Sequence, residues 1–291
     1  MNLSYYIVMR YVLAIVAVIL LLSLYYYLIS SRDSRKEGFI SSIRDDDLYA
    51  KLYNTIFNDP AYIQFDCKNI LKTIKNNPVA KEKAILDAGT GVGFHYKQLS
   101  KQYSVVGVDN SEQFLKYARI RNQDGTFKLG DLENTELFKP NTFTHILCST
   151  DTLHHNDLEK IQSIIANFYM WVKPEGIVMM HIFNREKLDP APREYSQYYH
   201  DDKGNRHSLT YYEEFTHDAF WEKTSSDSVY IYNEKVILPS EKVKSSKNVF
   251  YIPDKSKILA NMKKQGFELI DIYDMKKADV ECFDLYVFRK V

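Results

Sequence analysis

From about residue 48 onward, short β-branched runs alternate with stretches whose apolar positions recur at helical spacing. Residues 84–88 (AILDA) make a short apolar run closed by glycines, the pattern of a buried strand. Residues 104–109 (SVVGVD) repeat it, and Ser111 then supplies an N-cap for a helix with Phe114, Leu115 and Ala118 on one side. Residues 126–129 and 144–148 (THILC) predict two further strands. Asn156 with Glu159 three positions later reads as the start of a helix carrying Ile161, Ile164, Ile165, Phe168 and Val172 on one face, ended by Pro174 and Gly176. Residues 177–183 (IVMMHIF) predict a fifth strand, and a last helix runs from Asp254 to Gly266. Residues 267–273 and 284–291 are two strands joined without a helix, so one of them should be antiparallel. Strands alternating with helices specify a doubly wound α/β sheet.

Two segments stand outside this alternation. Residues 11–29 are nineteen residues without a charge, about the length that crosses a bilayer as a helix. Tyr25, Tyr26 and Tyr27 lie near its end, and Arg32, Arg35 and Lys36 outnumber the single Arg10 on the other flank. A cleaved signal peptide would have a shorter apolar region and a small-residue cleavage site. The expectation is a single-pass anchor over residues 1–30, a polar linker over 31–47, and a cytosolic domain over 48–291. The second segment, residues 184–253, interrupts the domain between the fifth strand and the last helix. It holds twelve aromatic residues, with strands expected at 208–212 and 229–238 around a turn at 201–205. It reads either as a lid around a substrate pocket or as a small sheet packed by its own aromatics.

Composition narrows the chemistry. The 38 basic and 38 acidic side chains cancel, which leaves no broad positive field for nucleic acid. Cys67, Cys148 and Cys282 form no CxxC pair, so neither a zinc site nor a disulfide framework is expected.

The chemistry concentrates after the first strand. Asp87-Ala88-Gly89-Thr90-Gly91-Val92-Gly93 places three glycines where a backbone must turn tightly and approach a ligand at the start of a helix. Asp109 ends the second strand twenty residues after Gly89, where an acid can accept from both hydroxyls of a ribose. A dinucleotide loop would place its third glycine at position 94, and Phe94 stands there.

This G-x-G-x-G spacing with an acid two residues ahead resembles the first motif of class I S-adenosylmethionine-dependent methyltransferases. The likeness extends to V-V-G-V-D-N-S, to Gly130-Asp131-Leu132, to the edge of the fourth strand (CSTDTLHH) and to W-V-K-P-E-G-I-V. It implies a Rossmann-like mixed sheet of seven strands with an antiparallel terminal strand, and S-adenosyl-L-methionine as cofactor. By the same resemblance Asp87, Ala88, Gly89, Thr90, Gly91 and Gly93 hold its methionine part, and Asp109 with Asn110 its ribose. Asp131 and Leu132 face the adenine, and Ser149 and Thr150 lie under the sulfonium. Tyr53 is a candidate for closing over it. His154 and His155 are candidates for a catalytic base, with exposed or capping histidines as the competing reading, and His181 is expected to be a packed or hydrogen-bonded histidine. No metal is expected.

The sequence after strand four lacks the proline-bearing motif of enzymes that methylate the exocyclic amines of bases, and points to a small-molecule or lipid acceptor. A protein acceptor, a catalytically silent scaffold and a nicotinamide-dependent oxidoreductase are the alternatives.

Overall fold

A computed structural model describes residues 47–188, 196–240 and 243–291, all within the compact unit Ser42–Val291. The apolar segment 11–29 and residues 31–46 of its linker therefore lie outside the described residues, and Asp47, the last residue expected in the linker, already begins a helix. Among the described residues no helix is long and apolar enough to cross a membrane.

Seven strands form one sheet in the order β11-β12-β5-β4-β1-β2-β3. They are β1 (Ala84–Ala88), β2 (Ser104–Asp109), β3 (Thr126–Leu129), β4 (Phe143–Cys148), β5 (Val172–Phe183), β11 (Phe267–Tyr273) and β12 (Phe283–Lys290). Strands β1 to β5 are parallel, while β12 runs antiparallel to both β5 and β11. Period-two alternation sends side chains to two separate cores. Leu86, Ile146, Val178, Met180, Tyr286 and Phe288 pack with helices α5 (Leu158–Trp171) and α6 (Lys255–Gln265). Ile85, Leu147, Ile177, Met179, Leu285 and Val287 pack on the other face with α2 (Pro60–Asn76) and α3 (Phe94–Leu99). Helix α1 (Asp47–Phe57) packs against α4 (Glu112–Arg121) through Tyr49, Tyr53 and Phe114.

The structure corrects several sequence expectations. Helix α5 starts one residue later than read, because Asp157 rather than Asn156 accepts the Lys160 amide. Asn156 instead donates to the carbonyls of Thr152 and Leu153. Strand β5 begins at Val172 rather than residue 177, since the chain is already extended before Pro174 and Val172 pairs with Phe143 across a register shift. Helix α2 was absent from the sequence reading. Asp59 caps it, accepting from Ala61 and Tyr62, and Pro60 occupies its first turn where no amide is needed.

The insert forms a second, antiparallel sheet of five strands in the order β10-β9-β8-β7-β6. These are β6 (Gln197–His200), β7 (Arg206–Tyr211), β8 (Thr216–Lys223), β9 (Val229–Ile237) and β10 (Val243–Tyr251). Three of the five were not anticipated. Its Ala219, Tyr230, Tyr232 and Phe250 join the core on the α2 side.

Candidate functional site

Strand order reverses between β1 and β4, and there the carboxyl ends of neighbouring strands part to leave a crevice. A cavity of about 440 Å3 opens at this point.

The glycine loop builds its first wall. Gly89 and Thr90 donate their amides to the Val108 carbonyl at 2.8 and 2.9 Å, which ties the loop to β2. Gly89 has φ +73°, and a Cβ on it would meet the Thr152 side chain at 2.2 Å. A Cβ on Gly91 would meet nothing within 4 Å, so here the bare backbone faces open space. Asp87 is buried behind the loop. Its Oδ2 accepts from the Thr90 hydroxyl at 2.6 Å, while its Oδ1 has no partner among the described residues. Burial pushes this carboxyl above the usual range.

Asp109, at the end of β2, is fixed by two backbone amides. Its Oδ2 accepts from Gly91 at 2.9 Å and its Oδ1 from Ser111 at 3.0 Å. A carboxylate oxygen can accept more than one hydrogen bond, so this anchoring is compatible with hydroxyl donors from the cavity. Asp131 is exposed and turns Oδ1 to the Glu133 amide, and the carbonyl of buried Leu132 accepts from Asn167. Of the residues expected to hold a cofactor, Gly89, Thr90, Gly91, Asp109, Asn110, Asp131, Leu132, Ser149 and Thr150 line the cavity. Asp87, Ala88 and Gly93 stand behind it, with Gly93 serving as the N-cap of α3.

Thr150 takes φ +52°, a left-handed conformation that a β-branched residue adopts only under constraint. The constraint is visible. Its amide donates to His181 Nδ1 at 2.7 Å and its hydroxyl to the Ser149 carbonyl at 2.8 Å.

Beneath Ser149 and Thr150 lies a buried polar group that the sequence reading missed. Asp66, on α2, is fully buried, with Oδ2 at 2.8 Å from His95 Nε2 and Oδ1 at 3.4 Å from His181 Nε2. His95 turns its other nitrogen to the Ser149 hydroxyl at 3.3 Å and lines the cavity. Burial alone would raise the Asp66 pKa, but His181 and His95 outweigh it and hold the carboxyl well below its usual range. Burial likewise opposes a charge on His95, and contact with Asp66 outweighs it, so the imidazole pKa is raised.

The two histidines after β4 part company. His154 is fully buried and off the cavity wall: Nδ1 lies 3.0 Å from the Tyr251 carbonyl, and Nε2 accepts the Phe183 amide at 3.0 Å. Both ring nitrogens are thus committed to backbone, and burial lowers the pKa to about 4. The structure therefore withdraws His154 as a base and makes it a post between β5 and β10. His155 does line the cavity, with Nε2 2.9 Å from Asp151 and its ring against Phe250.

The remaining wall comes from α1, α2, the insert and the C-terminal hairpin. Tyr53 packs between Phe57 and Phe114, with ring centroids 4.5 and 4.9 Å away. Trp221, Tyr232 and Phe250 reach the cavity from the insert, whereas Tyr198, Tyr199 and Tyr211 remain exposed on it. Trp221, Tyr232 and Phe250 also pack on one another, with the Trp221 ring 4.7 Å from Tyr232 and 4.9 Å from Phe250 between centroids. Glu234, buried among them, accepts from Tyr49 at 2.9 Å and from Asn248 at 2.9 Å, and lies 3.1 Å from His217 Nε2.

Comparison with known proteins agrees with this geometry. Residues 85–176 match the methyltransferase domain family. The chain is 25% identical over 150 residues to phosphoethanolamine N-methyltransferase 3 of Arabidopsis thaliana, which covers 49% of this chain and 29% of that protein. It is 29% identical over 106 residues to the ubiquinone biosynthesis O-methyltransferase of Rickettsia typhi, covering 35% of this chain and 42% of the other. The chain thus spans less than half the length of either relative. Among solved structures, the S-adenosylmethionine-bound amino pentose methyltransferase of Micromonospora echinaspora superposes with a TM-score of 0.64 at 16% identity, over 84% of this chain and 97% of that one. Residues 85–176 thus resemble the methyltransferase domain family, and the chain shares its fold with solved structures of S-adenosylmethionine-dependent methyltransferases.

Proposed function

We propose that this protein transfers the methyl group of S-adenosyl-L-methionine to a small-molecule acceptor. The observation that carries the proposal is a single cavity bounded on one side by the glycine loop and Asp109, and on the other by an aromatic wall.

The residues present fit the cofactor. The open space at Gly91 admits a ligand against bare backbone, and the unpartnered Oδ1 of Asp87 offers a buried acceptor behind the loop toward an ammonium, directly or through water. Asp109 would take the ribose hydroxyls, Asp131 and Leu132 would border the adenine, and Ser149 and Thr150 would lie under the sulfonium. When bound, the cofactor supplies an already activated methyl group. The protein's share is then to align a nucleophile and keep water out. If the nucleophile must lose a proton, His155 is the positioned acceptor. Its imidazole lines the cavity with Nε2 2.9 Å from Asp151.

Residues 11–29 support attachment to a membrane with the domain on the cytosolic side, and with it a lipid-like or membrane-delivered acceptor. That support is length and flanking charge alone.

Calorimetry on the full chain tests the main reading: S-adenosylmethionine should bind and the nicotinamide cofactors should not. Absence of S-adenosylmethionine binding would overturn it. Asp109→Ala should weaken that binding by about 1–3 kcal/mol, the cost of leaving hydrogen-bonding groups of the ribose unmatched. Unchanged affinity would place the ribose elsewhere.

A further inference from the structure

The acceptor half of the cavity has a chemical character of its own. Its surface is aromatic, with Phe57, Tyr62, Trp221, Tyr232 and Phe250 turned toward it. Its formal charges are carboxylates, two of them faced by histidines: His155 lies 2.9 Å from Asp151 and His217 3.1 Å from Glu234. Asp59, Asp151 and Glu234 contribute to this half, and among the described residues no arginine lines any part of the cavity. The one lysine on its wall, Lys160, belongs to the other half, 3.0 Å from Glu133 beside Asp131.

An anion such as a phosphate monoester needs a guanidinium, an ammonium or an uncapped helix N-terminus. None of these is offered here, and the His95 imidazole on the cavity wall is already paired with Asp66 at 2.8 Å. The N-terminus of α2, which borders this half, is already occupied by Asp59, whose Oδ1 accepts from Ala61 and Tyr62. A cation finds the opposite conditions: aromatic faces that attract it, with a buried carboxylate behind them. Glu234 is held in place by Tyr49, Ser246, Asn248 and His217, so it need not reorganise to receive a positive charge.

We infer that the acceptor is a cationic amine on an aromatic or aliphatic body, lacking phosphate and carboxylate groups; this rests on the methyl-transfer reading above. It sets the acceptor apart from the phosphoethanolamine in the name of one relative. The amine enters as an ammonium and gives up one proton to the His155 imidazole on the cavity wall. Its nitrogen lone pair then forms the new N–C bond while the C–S bond to the methyl breaks, and that electron pair stays on sulfur.

The test is calorimetry on the full chain saturated with S-adenosylhomocysteine, using 2-phenylethylamine, cyclohexylamine, phenylacetate and phosphoethanolamine as probes. At least one amine should bind ten times or more tighter than either anionic probe. Glu234→Gln should weaken that amine at least fivefold while S-adenosylhomocysteine binding is unchanged. Should that variant fail to fold, Trp221→Leu should lower amine affinity in the same way. Equal or tighter binding of phosphoethanolamine or phenylacetate, or no amine binding at all, would overturn the inference. Failure to bind S-adenosylhomocysteine would instead overturn the reading beneath it.

Discussion

Replacing Asp66 with alanine is expected to destabilise the fold by about 3–5 kcal/mol, the usual cost of removing one partner from a buried ion pair. The carboxylate sits fully buried between three groups that reach it from different elements: His95 from α3, His181 from β5, and the Tyr62 hydroxyl one turn away on α2. Alanine would leave two imidazole N–H groups pointing into a dry space. Asp66→Asn keeps one acceptor and should cost less. Urea unfolding at pH 6 measures both, and a loss below about 1 kcal/mol for alanine would mean that water takes the carboxylate's place. Cofactor binding should weaken as well, because His95 presents its second nitrogen to Ser149 on the cavity floor. The pair also has a pH window. Asp66 is depressed in the fold, so its contribution is complete above the ordinary carboxylate value of about 4 and is lost as pH falls below it. His95 is raised, so its contribution is complete below about 6.5 and is lost as pH rises through its folded value. The alanine penalty should therefore be largest between those limits.

How far such features could be read from the chain depends on whether their signal is local. The glycine loop, Asp109 and the antiparallel end of the sheet were legible because each is written within a few consecutive residues. Asp66, His95 and His181 were not, since α2, α3 and β5 meet only through the crossovers of the sheet. A partial signal was present. Tyr62, Ile63, Cys67, Ile70 and Ile74 lie at helical spacing after an Asp-Pro start, and Asp66 is the one charged residue buried in that stripe. Glu234 carried a similar mark. Tyr230, Tyr232, Glu234 and Val236 are all buried, so period two places the acid on the inner face of β9. Strands such as β10 (VKSSKNVFY) were missed because most of that strand is polar and only Ser246 and Phe250 are buried. His154 and His155 show the limit of adjacency. Neighbours in sequence on one tight turn, they face opposite environments, one committed to two backbones and the other to the cavity.

His154 also takes part in the second large effect, a loss of stability in mild acid. Burial lowers its pKa to about 4, and burial together with Lys83 lowers that of His145 to about 3. Both side chains are fully buried, and His145 Nε2 has no partner among the described residues. In the unfolded chain each titrates near 6.5. Because the folded values lie below the unfolded ones, the unfolded state takes up protons that the fold refuses. Their stabilising effect is complete above about pH 6.5 and is lost as pH falls, at about 1.4 kcal/mol per pH unit for each histidine. Between pH 6.5 and 4.5 the two together remove about 5 kcal/mol, a large part of the stability of an ordinary domain. Asp87, raised by burial, acts in the opposite sense, since protonation relieves a buried charge, but only as pH enters the range of its own titration. Urea unfolding at pH 7, 5.5 and 4.5 should show this decline. In His145→Leu the slope should fall by about half, because leucine removes one titrating site and with it an unpartnered buried nitrogen. A variant whose slope matched the parent would show that water or a local opening already lets His145 protonate within the fold, and the acid response would then have to come from His154 alone.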